Sequence, residues 1–233
     1  MSATLIVDEL LAGASEVRVE GDAFHHLFRV RRQRVGDRVR LVDGRGLAVW
    51  SEVVHIERRL ATLEIHEQAP ANEASLEIEL YVATVRSARA AWLVEKATEI
   101  GVRSIHFFNC ERAPRAYGRA TLDRLGRVAR GAVEQSQRSL VPVVDGVLRL
   151  ETVMEKIDGA QRCQLLDPAS ECRLGRVDAE SVAVIVGPEG GLTAGETEAL
   201  VARGARRASL GARILRVETA VVVAAAVLLG DPG

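Results

Sequence analysis

Cysteine is scarce in this 233-residue chain, and Cys110, Cys163 and Cys172 are odd in number and far apart. That spacing excludes a disulfide scaffold and offers no paired zinc ligands, so the three are expected to be reduced and structural. His25 and His26 likewise lack companions at metal-binding spacing, and no metal is expected. Long apolar runs are missing too. The longest, Ala220 to Leu229, is too short to span a bilayer. The opening MSATLIVDELLAG has no basic region and carries Asp8 and Glu9 within its apolar stretch, unlike a signal peptide. These absences point to a soluble, cytoplasmic protein with no membrane partner. There is no internal repeat and no low-complexity tract.

What is present is a core-forming composition, 48% hydrophobic, at a length that suits one compact domain plus a small appended one. The formal net charge of -1 conceals strong segregation. Six arginines face one aspartate between His25 and Arg40, and eight arginines face three acids between Arg103 and Arg138. Five glutamates and no lysine or arginine lie between Glu64 and Glu79.

The first 70 or so residues alternate polar and apolar side chains in EVRVEG, DRVRLVDG, AVWSEVVHI and ATLEIHE, separated by Gly or Asp turns such as Asp43-Gly44. A small barrel is expected there. APANEAS (69–75) reads as a linker, after which strand and helix patterns alternate. Strands are expected at LEIELYVATV, RSIHFFN, LVPVV (140–144), CQLLD, SVAVIVG and RRASLG, giving a largely parallel sheet covered on both faces. Gly101 suits the left-handed cap of the helix before it, and Thr193 with Glu196 forms a capping box. Leu122, Leu125, Val128, Ala129, Ala132 and Val133 share a helix face, which turns Arg124, Arg127 and Gln135 outward.

Ligands of open parallel sheets bind beyond the carboxyl ends of the strands. Two loops there are glycine-rich, GPEGGLTAGE (187–196) and LGARILRVETA (210–220), and they would face one another if their strands are neighbours. Neither the Walker ending nor the dinucleotide fingerprint is present, and no carboxylate pair for magnesium accompanies the loop. Backbone amides favour an anion, but Glu189 would repel one. A ligand flat and apolar at one end and cationic at the other, such as S-adenosylmethionine, suits the pair of loops better. Tight turns alone would also account for the glycines of either loop taken singly.

EKATEIGV (95–102), GPEGGLT (187–193) and LGARILRVETA (210–220), behind HHLFRVRRQRVGD, together resemble the RsmE family, the 16S ribosomal RNA uridine N3-methyltransferases of the SPOUT superfamily. The resemblance covers nearly the whole chain. It implies an α/β fold with a PUA-like β-barrel RNA-binding domain over 1–71 and a SPOUT trefoil-knot methyltransferase domain over 75–233. It also implies a homodimer, S-adenosylmethionine as cofactor, and a decoding-region uridine of 16S rRNA in the small ribosomal subunit as substrate. The cofactor residues it implies are Leu165 and Leu166 beside Asp167; Gly187, Pro188, Glu189, Gly190 and Gly191; and Leu210, Gly211, Ile214, Leu215, Arg216 and Thr219. On this reading Glu189 is tolerated because the ligand beside it is positive. Arg216 and Glu218 are candidates for anion stabiliser and base, and equally suit a salt-bridged helix start.

Charge placement assigns phosphate contacts to Arg29, Arg31, Arg32, Arg34, Arg38 and Arg40, with His26 beside them; Arg112, Arg115 and Arg119, around Pro114, form a second basic group, and Arg138 is also expected to bind RNA. Phe24, Leu27 and Phe28 suit the barrel core better than base stacking. Family members often open with an arginine and aromatic residues, where this chain reads TLIVDELL, and often carry a lysine or an acid where it reads Arg86-Ser87-Ala88-Arg89. A ribose 2'-O-methyltransferase ranks lower, because its last motif carries an asparagine that is absent from LGARILRVETA. A non-catalytic ribosome-assembly factor is the rival from another class, and a nucleotide hydrolase ranks last.

Overall fold

The computed structural model describes residues 3–7, 12–113, 117–158 and 162–230. Contacts divide the chain into two units, one drawn from Met1–Glu73 and Val133–Val141, the other from Ala74–Ala132 and Pro142–Gly233.

The first unit contains β1 (Ala3–Ile6), β2 (Glu16–Glu20), β3 (Arg38–Val42), β4 (Ala48–Ile56) and β5 (Leu60–Gln68), in the sheet order β1-β3-β4-β5-β2. All pairs are antiparallel except β1 with β3. The β1 strand was not expected from the sequence, because all four of its residues are buried and it shows no alternation. Between β2 and β3 a short helix, α1 (Gly21–Phe24), runs into a π-helical turn, His25–Val30. Phe24, Leu27 and Phe28 enter the core, where they meet Leu5, Val17, Val39, Leu41, Val53 and Leu63 from all five strands. The helical period thereby turns Arg29 to solvent, and Arg31 and Arg32, where the turn ends, are exposed as well.

Arg40 of β3 is buried. Its Nη1 donates to Arg138 O at 3.1 Å and its Nη2 to Pro70 O at 2.6 Å. Burial lowers the Arg40 pKa, and the nearby Glu73 carboxylate opposes that shift. Glu73 accepts from Arg138 Nη2 at 2.6 Å, Ser139 N at 2.9 Å and Leu140 N at 3.0 Å. The segment 133–141 is thus tied to the linker of the first unit, which a boundary drawn along the sequence does not express.

The second unit is a six-stranded parallel sheet in the order β11-β9-β10-β6-β7-β8. Its strands are β6 (Glu77–Ala83), β7 (Ser104–Asn109), β8 (Val143–Arg149), β9 (Cys163–Leu166), β10 (Ser181–Val186) and β11 (Arg206–Ala208). Its helices are α2 (Ser87–Ile100), α3 (Arg119–Ser136), which runs on into the first unit, α4 (Leu150–Ile157), α5 (Ala194–Ala202) and α6 (Val217–Leu229). The expected strand at 140–144 lies instead at Val143–Arg149: Pro142 cannot donate to a ladder, and pairing with β7 starts at Val143. Tyr81, Ala83, Phe108, Ile185 and Leu200 pack with α4 on one face, while α6 packs against α2, β6 and β10. Gly101 takes φ 118 as the cap of α2, and the Thr193–Glu196 capping box starts α5.

The register sets the level of the loops. Leu166 of β9 pairs with both Val186 of β10 and Ala208 of β11, so three chain segments leave the sheet at one height. The two glycine-rich loops follow β10 and β11, which are not neighbours as the sequence reading had required. β9 lies between them and adds a third loop.

Removing the Glu73 carboxylate would take two charged hydrogen bonds from a buried guanidinium and the shared acceptor from the amides of Ser139 and Leu140. Glu73→Ala should therefore cost about 3 kcal/mol of stability, read from urea unfolding. Burial also pushes the Cys163 thiol from its ordinary 9.0 up to about 12. A thiol held neutral in the folded state contributes stability below pH 9 that is lost as pH rises toward 12. The melting midpoint should fall across that window, and less steeply in Cys163→Val.

Candidate functional site

The three loops enclose a pocket of about 330 Å³, within the range of small-molecule sites. Its walls are Leu165, Leu166, Val186, Leu210, Leu215, Val217 and Ala220, and the backbone of Gly187–Gly191 forms one rim. Close approach requires the glycines. A Cβ on Gly187 would lie 3.1 Å from Leu192 Cγ, and one on Gly211, at φ 112, would lie 3.1 Å from Arg173 Nη2. Asp167 and Glu189 bring carboxylates to the opening, and Arg213 brings a guanidinium. Asp167 is already engaged, accepting from Arg207 Nε at 2.6 Å and Ala169 N at 2.8 Å.

Of the residues expected to hold a cofactor, Leu165, Leu166, Gly187, Pro188, Glu189, Gly190, Gly191, Leu210, Gly211, Ile214 and Leu215 line this pocket. Arg216 and Thr219 do not. Arg216 is the N-terminal boundary residue of α6 and is exposed, while Thr219 lies in the helix's first turn, half-buried.

Glu218, in the same turn, is buried, and its Oε2 has no hydrogen-bond partner among the described residues. Its Oε1 lies 3.7 Å from Arg89 Nε, and Arg89 Nη1 also pairs with Glu189. Glu189 is thus paired with a cation of the protein itself, contributed by α2. Arg89 was not singled out from sequence. The signal available was its place one turn beyond the carboxyl end of β6, on the loop-bearing edge of the sheet.

The expected RNA-binding residues divide. Arg29, Arg31, Arg32 and Arg34 are exposed, and Arg31 Nε donates to His26 Nε2 at 3.0 Å. Arg32 sits at φ 59, an uncommon conformation for a side chain of that size, at the end of the π-helical turn. Arg112 is exposed, yet its Nη1 donates to Gly190 O at 2.9 Å and so braces the glycine loop. Arg115 lies outside the described residues. Arg40 is 1% exposed with its guanidinium on the Arg138 and Pro70 carbonyls, and Arg138 is 3% exposed and engaged by Glu73, which corrects the expectation that either binds RNA: a guanidinium already enclosed by the protein is not presented to a phosphate.

No group of three or more metal-ligating side chains occurs among the described residues, and no helix there is long and apolar enough to cross a membrane.

Comparison with known proteins defines the class. The family model for an RNA methyltransferase domain matches residues 72–229, and that for an RNA methyltransferase PUA domain matches residues 19–65. Among relatives, the ribosomal RNA small subunit methyltransferase E of Mycobacterium bovis is 30% identical over 229 residues, covering 94% of this chain and 87% of its own. The enzyme of the same name from Synechocystis is 31% identical over 213 residues, covering 87% and 69%. A crystal structure of the Neisseria gonorrhoeae protein of that name, bound to S-adenosyl methionine, matches with a TM-score of 0.87 and 28% identity over 97% of this chain and 96% of its own. The chain belongs to the ribosomal RNA small subunit methyltransferase E family.

Gly211→Ala is expected to cost about 1–2 kcal/mol, because φ 112 suits only glycine and the added carbon meets Arg173. Thermal unfolding of the variant against wild type checks this.

Proposed function

We propose that this chain methylates N3 of a uridine in the 16S RNA of the small ribosomal subunit, in the decoding region, with S-adenosylmethionine as methyl donor. The single observation that carries the reading is the three-loop pocket with the buried carboxylate of Glu218, whose Oε2 has no hydrogen-bond partner among the described residues, in the helix turn that follows its third loop. The pocket fits the cofactor chemically: its apolar walls suit an adenine, its unadorned backbone rim suits polar edges, and the carboxylate of Glu189 suits a cation. Leu165, Leu166, Gly187 to Gly191, Leu210, Gly211, Ile214 and Leu215 would hold it, with Arg216 and Thr219 at the start of α6. When bound, the cofactor supplies an electrophilic methyl group.

The chain's own residues then have two tasks. Neutral uracil carries a proton on N3, and its loss leaves an anion. Glu218 Oε2 accepts that proton as general base, while Arg216 at the exposed start of the helix stabilises charge developing on the uracil oxygens. Arg29, Arg31, Arg32 and Arg34, with His26 and Arg112, hold RNA phosphates and position the substrate without reading sequence. A homodimer and a trefoil-knotted path for the carboxyl-terminal segment belong to the same reading. Exposed Trp92 on α2 and Ile214 before α6 supply apolar surface for the second copy. The cytoplasm, where ribosomal subunits are assembled and modified, is its place of action.

The test is transfer of labelled methyl from S-adenosylmethionine to unmethylated small subunits, followed by nucleoside mass spectrometry. N3-methyluridine is the expected product, and Glu218→Gln should lower its rate about 100-fold. Label on a ribose, or RNA binding without label, would overturn the proposal.

A further inference from the structure

One guanidinium serves two carboxylates at the edge of the pocket. Arg89 stands in the first turn of α2 with its side chain 30% exposed, its Nη1 on Glu189 and its Nε 3.7 Å from Glu218 Oε1. These acids belong to elements remote in sequence, the loop after β10 and the first turn of α6. They also differ in environment, since the Glu189 side chain is 58% exposed and that of Glu218 is 11% exposed. The other oxygen of Glu218 is buried and unpartnered among the described residues, a state that costs free energy unless a ligand completes it.

The platform that carries Arg89 is braced. The Tyr117 hydroxyl donates to Val85 O at 2.6 Å and accepts from Val85 N at 2.9 Å, just ahead of α2, and burial pushes that hydroxyl up to about 12. Arg89 N bonds Arg86 O at 2.9 Å, and α2 packs along α6, the helix that bears Glu218. The backbone of Arg89 is therefore placed by contacts that involve neither carboxylate, and its side chain bridges the two.

We infer that Arg89 is a positioning residue that relays the state of the Glu189 loop to Glu218, coupling occupancy of the pocket to the orientation of the base. The inference rests on the proposed function, in which Glu218 faces the acceptor. A cation entering beside Glu189 competes with Arg89 for that carboxylate and leaves more of the guanidinium to Glu218. With the pocket empty, Arg89 is shared and Glu218 is held less firmly. The planar fork is required, because Nε and Nη1 are two separate donor atoms of one rigid group, whereas a lysine offers a single point charge.

The experiment is a set of calorimetric Kd values for S-adenosylmethionine and S-adenosylhomocysteine on the full chain. Wild type, Glu189→Gln, Glu218→Gln and the double variant are compared, first with Arg89 present and then in an Arg89→Gln background. With Arg89 present, the two substitutions should depart from multiplicative behaviour by about fivefold for the sulfonium ligand and by less for its neutral thioether analogue. In the Arg89→Gln background they should simply multiply. Arg89→Lys should also abolish the coupling, and should lower kcat for methyl transfer about tenfold with a smaller change in cofactor KM. Multiplicative behaviour in both backgrounds, with binding intact, overturns the relay and leaves the proposed function standing, as does a Lys variant that keeps full coupling and kcat. If wild type binds neither compound, the proposed function falls and the relay with it.

Discussion

The site depends first on strand register. β9 is inserted between β10 and β11 so that Leu166, Val186 and Ala208 stand side by side, and the chain therefore leaves the sheet three times at one level. In a parallel sheet every such exit lies at the same edge, and the backbone groups freed there have no ladder partner. After β10 and β11, Gly191 at φ 71 and Gly211 at φ 112 let the chain turn, and Gly187 lets Leu192 approach the backbone closely. The apolar wall follows from the same arrangement. Leu165, Val186 and Val217 are core residues whose outer surfaces happen to end at the pocket.

Charge is distributed over this frame with little left to the net sum. The arginine-rich composition divides between two tasks that sequence alone does not separate. Arg40 and Arg138 are enclosed and bind backbone oxygens or Glu73, joining the linker to the segment 138–140. Arg89 and Arg112 brace the acidic glycine loop from its carboxylate and from its Gly190 carbonyl. Arg29 stands outside the core of the first unit because Phe24, Leu27 and Phe28 claim the inward positions of its helical segment, and Arg31, Arg32 and Arg34 follow, exposed, where that segment ends. An enclosed guanidinium stiffens the protein, whereas an exposed cluster attracts a polyanion at long range and weakens with added salt.

Much of this was legible from local pattern. The alternation in residues 16–68 identified four of the five strands of the first unit, and buried apolar runs bounded by helix patterns identified the parallel sheet. The Gly101 cap and the Thr193–Glu196 capping box were readable because a cap is decided by residues a few positions apart. β1 was missed because a strand buried throughout has no polar face to reveal its period. The strand at 140–144 was misplaced because only pairing with β7 determines which side of Pro142 the ladder begins.

The sequence by itself determined the composition of the site: which loops carry glycine, which acid sits among them, and which helix carries Glu218 in its first turn. These are properties of short segments, governed by backbone conformation and side-chain type. Tertiary structure alone decided the relations among the segments. It placed β9 between the strands of the two glycine loops, enclosed Arg138 and brought Arg89 between Glu189 and Glu218. Residues 89, 189 and 218 are separated by more of the chain than any local periodicity spans, so their meeting follows only from sheet order and from the packing of α2 on α6.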